Sequence, residues 1–539
     1  VRFFILILAI FVSVQAKQVV LNGKDLTIQD VYDISLGENV KIDKKALDRV
    51  FRSHEALIEA AKQGHKIYGL TVGVGLNKDK QFVDAHGNLD DEVIKASKKF
   101  NIGLIHAHCG GVYEDLKPNV VRAIMAIRLN NMLYGGSGVS LELVKTYEAF
   151  LNNNIIPAVP SKGSVGEADI TILGHIGLAM LGEGFVYVDG EKIPASAALS
   201  KFNIKKIEPF GKDALSIISS NSYSSALAVL AILDLKNLIK NLKLVYALSL
   251  EGLNGNVAPF LEESVKLRPF PQLLLTAKDL RELLKGSYLW ENSSKRALQD
   301  PLSYRDGVYQ IAALESSLKT LEDLMKIQLN SSDDNPGVNL DASTPKNSYQ
   351  EKFFVKNGKS AVVPNSNFEP LLWVFELEKM SIVLGFNSKA SSQRIIKLDD
   401  DYFTGLSRFL GTDETIHAFG AMQKPFAALD AENQLLANPV SLNWLPLAGN
   451  IEDIATNAPL AAIKLQKQID NFYYILGMEL LHAAQAIDLR MKEDPNLKLS
   501  VKTKKLFEQY RKQVEFLQVD RPLTEDFRKS YDFLKNYSY

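Results

Sequence analysis

Apolar residues recur at intervals of three and four over segments too long for strands. Ile469, Phe472, Leu476, Leu480, Ala483 and Ile487 form one such stripe, and Ile311, Leu314, Leu318, Leu321 and Met325 form another. A period near 3.6 residues puts each set on one face of an α-helix, and that face must be buried against a neighbour. Two more apolar helices are predicted over 224–250 and 370–384. Long helices with no strand signals between them favour a mainly α fold, an extended bundle rather than an α/β sheet. Strand alternation shows at Phe185-Val186-Tyr187-Val188, which runs into an Asp189-Gly190 turn and predicts a hairpin. The mixed, turn-rich segment 356–367 is expected to be a loop.

Charge and cysteine content narrow the function. Lys and Arg number 62 against 63 Asp and Glu, a net charge of -1, so the chain lacks the basic field of a nucleic-acid binder. The single cysteine, Cys109, excludes an internal disulfide framework and a multi-cysteine metal site. His106 and His108 have no third ligand at metal spacing, so no metal is expected. At the N-terminus Arg2 precedes an apolar run from Phe3 to Val14, and Val14-Gln15-Ala16 has the small residues of a cleavage site. The run is shorter than the ~20 residues of a membrane span, so 1–16 reads as a signal peptide and the chain as periplasmic or secreted. With no second uninterrupted apolar segment of membrane length evident, no membrane partner is expected after cleavage.

Three stretches carry more glycine and polar residues than packing requires: Tyr68-Gly69-Leu70-Thr71-Val72-Gly73-Val74-Gly75, the run from Ile156 to Asp169, and Asn330-Ser331-Ser332-Asp333-Asp334-Asn335-Pro336. The first is not a dinucleotide loop, lacking a preceding strand and a third glycine before a helix. Together with Gln299-Asp300-Pro301-Leu302-Ser303-Tyr304-Arg305, Asn367-Phe368-Glu369, Gln393-Arg394 and Asn450-Ile451-Glu452-Asp453, they resemble the aromatic amino-acid lyases in order and content. That family comprises the histidine, phenylalanine and tyrosine ammonia-lyases and related aminomutases. The resemblance implies a histidine ammonia-lyase-like long helical bundle with a smaller N-terminal region containing α and β elements. It divides the chain into an active-site region over 17–220 and the bundle with C-terminal helices over 221–539. It also implies a homotetramer whose active sites take loops from three subunits.

The same resemblance exposes departures. The family's electrophile, a methylidene-imidazolone, is built from an internal Ala-Ser-Gly between Gly-Ser-Val-Gly and Asp. Here Gly163-Ser164-Val165-Gly166 and Asp169 flank only Glu167-Ala168, so the prosthetic group has no precursor and no cofactor is expected. The asparagine that supports the imidazolone falls at Ser219, and a tyrosine of the Gln-Asp motif is Leu302.

Other family positions are kept. Tyr68 matches the tyrosine that removes the substrate β-proton; with an ordinary pKa of ~10, a tyrosine must be poised by its neighbours to act so near neutrality. Arg305 matches the fork that grips the substrate carboxylate, and Asn335, Gln299 and Phe368 line the amino acid. His108 and Glu452 match the pair with which histidine lyases meet an imidazole. Packing or salt-bridge roles remain open for Tyr68, Arg305 and His108. Lys424 stands where the family carries an uncharged residue, either facing the ring end of the pocket or on the surface.

An imidazolone works by accepting the lone pair of a primary amine. A quaternary ammonium has none, yet already leaves as a neutral amine. The expected substrate is therefore an imidazole-containing amino-acid betaine, and the expected reaction is trimethylamine elimination from ergothioneine to give thiourocanate. Tyr68 would be the base, Glu452 and Lys424 would polarise the ring, and Glu167 would face the trimethylammonium. Two alternatives stand beside this: an inactive homologue that binds a ligand or acts as a scaffold, and a histidine ammonia-lyase with an unorthodox electrophile near Ser164.

Overall fold

The computed structural model describes residues 18–74, 91–356 and 358–537; the expected signal peptide and Gly75 lie outside them. The described chain is mainly helical and divides into two compact units. The first comprises residues up to Ser164, Ala168–Ala226 and Gln328–Phe368, and the second Val165–Glu167, Leu227–Ile327 and Glu369–Tyr539.

The first unit surrounds the helix Pro118–Leu133, in which every residue from Val121 to Leu133 is buried. Its polar side chains survive burial because they are satisfied. Arg122 donates to the carbonyls of Ile34 at 2.7 Å, Leu151 at 2.8 Å and Glu38 at 2.9 Å. Small sheets flank this helix. Gln18–Leu21 pairs in parallel with Asn39–Ile42, and Ile156–Pro157, Phe185–Val188 and Glu191–Pro194 form an antiparallel set of three. The predicted hairpin turn is present, with Asp189 at φ 53° and Gly190 at φ 85°, both left-handed as a two-residue hairpin loop requires.

The second unit is built on the helices Leu371–Leu398, Gln423–Leu436, Ala458–Glu493 and Thr524–Asn536. All six stripe residues from Ile469 to Ile487 are 0% exposed. Burying each large aliphatic or aromatic side chain stabilises by about 1.5–3 kcal/mol, which makes this seam the main cohesive element of the unit. The second stripe, Ile311 to Met325, lies on the helix Gly307–Leu329 and is likewise buried.

Three expectations need correction. The helix predicted over 370–384 runs on to Leu398, and its second half buries Asn387, Ser388, Ser391, Ser392 and Arg394. Those polar residues interrupt the apolar pattern but are held by bonds such as Asn387 Nδ2 to the Gln310 carbonyl at 3.0 Å and Asn433 Nδ2 to Ser388 Oγ at 3.0 Å. The segment 356–367 is not all loop: Ala361–Val363 pairs antiparallel with Gly337–Asn339, a strand too short to display alternation. One further stretch, Asp213–Leu253, has the length and hydropathy to cross a membrane, and 89% of its apolar window is buried inside the protein, as in a core helix.

Candidate active site

Burial and a helix end shape the segment that departs from the family pattern. Asp169, fully buried, precedes the helix Ile170–Met180 and accepts from Ser164 Oγ at 2.6 Å, Ser224 Oγ at 2.7 Å and the Ser224 N–H at 2.8 Å. Because Ser224 lies in the first turn of the helix Ser222–Leu253, the Asp169 carboxylate caps that helix from outside. Burial raises its pKa to about 6, against the pull of these bonds. The hydroxyl of Ser164 is thus committed to Asp169. A second carboxylate meets the same helix end: Asp333 accepts from the Asn221 N–H at 2.8 Å and Ser220 Oγ at 2.9 Å.

Asp333 in turn belongs to a buried ionic group. Arg128 bonds Asp333 and Asp334, each at 2.9 Å, and Lys212 donates to the carbonyls of Ser137, at 3.1 Å, and Pro336, at 2.5 Å. This group anchors the segment carrying Asn335, whose Oδ1 accepts from the Asn365 N–H at 2.9 Å. Phe368 is held nearby through its carbonyl, which accepts from Asn221 Nδ2 at 2.5 Å. The Asn221 Oδ1 is buried with no hydrogen-bond partner among the described residues.

Also in the first unit, Tyr68 sits half-buried on a tight turn. Thr71 fixes that turn by accepting from the Ile67 N–H at 2.7 Å and donating to the His65 carbonyl at 2.8 Å. Ile67 and Leu70 on either side are buried in a cluster with Leu57 and Val338, so the turn is anchored apolarly as well. His108 follows the helix Asp91–Ala107. Its Nδ1 lies 2.7 Å from the Leu104 carbonyl, which can only accept, so Nδ1 carries the proton and Nε2 is the acceptor of the neutral ring. A Cβ on Gly174 would stand 2.7 Å from the His108 carbonyl, so glycine at that position lets the two segments meet.

Three glutamates gather in the second unit. Val165 accepts from the Asn457 N–H at 2.7 Å, and Gly166 turns at φ 88° so close to its neighbours that a Cβ would meet Thr456 Oγ1 at 2.5 Å. The next residue, Glu167, lies within electrostatic reach of Glu369 and Glu452. Burial, the charge of Glu369 and a hydrogen bond with it, and the charge of Glu452 push Glu167 up to about 8. Burial and nearby carboxylate charge both disfavour ionisation, so Glu167 holds its proton near neutrality. Glu452 is presented by a turn in which the Leu447 N–H donates to its carbonyl at 2.9 Å. Within the turn Ala448, Gly449 and Asn450 take φ of 48°, 68° and 70°; such backbone costs about 1–3 kcal/mol per strained residue.

Arg305 ends the short helix Leu302–Arg305, and its guanidinium donates to the Gln299 side-chain carbonyl. Lys424 is exposed in the first turn of Gln423–Leu436, where the helix dipole disfavours a cation. Tyr68, His108, Asn335 and Phe368 therefore belong to the first unit, and Glu167, Glu452, Arg305, Gln299 and Lys424 to the second. Electrostatic interaction links Glu167 with Glu369 and Glu452, and a hydrogen bond joins Arg305 with Gln299. Sequence reasoning gave no role to Glu369, although it is part of the Asn-Phe-Glu motif; nothing local signals its pairing with a residue 202 positions earlier.

The profile of the family described as aromatic amino acid lyase matches residues 26–512. The chain belongs to the aromatic amino acid lyase family. A probable histidine ammonia-lyase of Thermoplasma acidophilum is 30% identical, with 95% of this chain and 98% of that protein covered. Histidine ammonia-lyase of Caldanaerobacter subterraneus is 29% identical, covering 96% and 97%. Among solved structures, ergothionase from Treponema denticola, an ergothioneine-degrading enzyme bound to desmethyl-ergothioneine sulfonic acid, superposes with a TM-score of 0.86. It shares 37% identity, with 96% of this chain and 99% of that one covered. Family membership makes the chain a carbon–nitrogen lyase with the histidine ammonia-lyase fold. The lyase electrophile, however, does not suit the residues present. Glu167-Ala168 stands where three residues are needed, and Ser164 is bonded to Asp169.

Proposed function

We propose that this lyase eliminates trimethylamine from a histidine betaine, converting ergothioneine to thiourocanate without an imidazolone. The observation that carries the reading is Glu167. At the position of the missing electrophile stands a carboxyl grouped with Glu369 and Glu452, an acidic environment suited to a cation and hostile to an electron-poor acceptor. Likeness to ergothionase over nearly the whole chain supports the same substrate class.

In this reading Arg305 takes the substrate carboxylate and Glu167 faces the trimethylammonium. Glu452, the Nε2 of His108 and Lys424 hold the thioimidazole, with Asn335, Gln299 and Phe368 around the amino-acid portion. Tyr68 removes the β-proton; that electron pair becomes the Cα–Cβ double bond, and the C–N pair departs with neutral trimethylamine. Ring binding by Glu452 and Lys424 spreads the charge that develops at the β-carbon. Lys424 is then a cation kept at an unfavourable helix position because the ligand uses it.

We also infer a homotetramer, with each active site taking loops from three subunits. Supporting it, the helix Leu371–Leu398 leaves Leu372, Phe375, Ile382 and Phe386 more than half exposed on one face. We infer export from the apolar run Phe3 to Val14, read as a signal peptide. The test is ergothioneine turnover by the purified protein, followed by thiourocanate absorbance and trimethylamine release. Tight binding without product would identify an inactive homologue, and urocanate from histidine would identify an ammonia-lyase.

A further inference from the structure

The proposed carboxylate clamp, Arg305, lies on a four-residue helix, too short to hold a side chain by its own hydrogen bonds. Beneath it is a buried group of four side chains drawn from three long helices and the clamp segment itself. Arg394, from Leu371–Leu398, and Glu479, from Ala458–Glu493, are 2% and 0% exposed. They pair in parallel, Nε to Oε1 at 2.6 Å and Nη2 to Oε2 at 2.8 Å, and Ser391 Oγ donates to the same carboxylate at 2.5 Å. The guanidinium lies over the Tyr246 ring, 5.2 Å from its centre. The Tyr246 hydroxyl donates to the Tyr304 carbonyl at 2.6 Å, the peptide group that leads into Arg305. Tyr304, 0% exposed, returns the connection: its hydroxyl donates to the Arg394 carbonyl at 3.3 Å and shares a bond with Ser249 Oγ at 2.8 Å. A Cβ on Gly307 would stand 2.4 Å from the Tyr246 ring, so glycine there lets the ring reach under the clamp.

We propose that Tyr246, Arg394 and Glu479 are positioning residues for Arg305, fixing the backbone from which its guanidinium meets the substrate carboxylate. A buried ion pair adds little stability over apolar side chains of the same volume, so its retention is better explained by the geometry it specifies. Here that geometry ends on one peptide group. Among the described residues Arg305 forms no ion pair; one guanidinium nitrogen donates to Gln299, and its charge remains for a carboxylate. The inference rests on the assignment of Arg305 as clamp.

The test measures binding of two probes to the full-length protein by calorimetry: 3-(imidazol-4-yl)propanoate, which carries the carboxylate, and 4-methylimidazole, which lacks it. Tyr246→Phe deletes one hydroxyl, and Glu479→Gln keeps the shape but removes the charge; circular dichroism and melting confirm that each is folded. The expected result for Tyr246→Phe is a roughly tenfold loss for the propanoate and less than about twofold for methylimidazole. Arg305→Ala should abolish the preference between the probes, and adding Tyr246→Phe to it should cost nothing more, since both act through one contact. Equal weakening of both probes, additive losses in the double variant, or a lowered melting temperature with an unchanged probe ratio would each overturn the proposal. Wild type that binds neither probe overturns it together with the clamp assignment. Wild type that fails to turn over ergothioneine sinks the substrate reading alone, and the probe ratio still decides this inference.

Discussion

Replacing Glu167 by glutamine tests the electrostatic core of the functional reading. With its carboxyl raised to about 8, Glu167 is ionised in only about 9% of molecules at pH 7, and in about 97% at pH 9.5. A cation that needs the charged form sees an affinity reduced by the unionised fraction, so its apparent Kd should fall about elevenfold across that window. The assay is calorimetry with an imidazole bearing a 2-trimethylammonioethyl chain, set against its neutral 3,3-dimethylbutyl isostere. The isostere shares the ring and its titration but not the charge, and should show no matching rise. In Glu167→Gln the cation should lose its pH dependence and bind as weakly as the isostere. Stability provides a second reading with a defined sign. A carboxyl whose folded pKa lies above its unfolded value of about 4.5 favours folding when protonated, and that advantage is lost as pH rises from about 4.5 through about 8. Glu167→Gln should therefore gain melting temperature relative to wild type over this interval and hold a constant gap above it. A cation affinity flat from pH 7 to 9.5 in the wild type, or the same slope in the variant, refutes the argument.

Other substitutions separate the remaining roles. Tyr68→Phe should retain ligand binding and lose turnover by roughly 10²–10⁴-fold, measured as kcat for thiourocanate formation. Arg305→Ala should weaken carboxylate-bearing ligands by about 1.5–3 kcal/mol, the worth of a charged hydrogen-bonding pair, read as KM or Kd. Intact-mass and ultraviolet spectra of the purified protein should show no loss of water and no imidazolone band in the peptide carrying Ser164. Leu476→Ala, in the fully buried seam of the longest helix, should cost about 2–5 kcal/mol in denaturant unfolding.

Periodicity made the helices legible because it records which face is buried, and Ile469 to Ile487 needed no partner to be named. It failed at Gly385–Leu398, where buried Asn387, Ser388 and Arg394 resemble surface residues until their partners on other helices are known. The site divides the same way. Tyr68, His108, Arg305 and Glu452 were read from ordered motifs, each local in sequence. Glu369, Asn221 and Glu479 were not, since their significance lies in pairing across dozens to hundreds of residues, and a single chain displays no pairing. Glu167 lies between these cases. Its residue type and its position in place of a serine were visible, and they suggested a cation opposite it. The raised pKa comes from burial and from Glu369 and Glu452, which approach from distant parts of the sequence.

That crowding bears on the chemistry. A lone surface glutamate would attract any amine, including the protonated amine of histidine. A carboxyl that keeps its proton near pH 7 carries less charge at rest, so it is a weak trap for small cations. It gains charge as a cation large enough to expel water from all three glutamates arrives. Trimethylammonium, bulky and without a proton to donate, has that form. A primary ammonium can instead hydrogen-bond the carboxylates, and would be held as a poorer leaving group rather than expelled. Discrimination between histidine and its betaine is then expected to reside in the charge state of Glu167, with the proposed carboxylate clamp and the proposed imidazole-binding residues common to both.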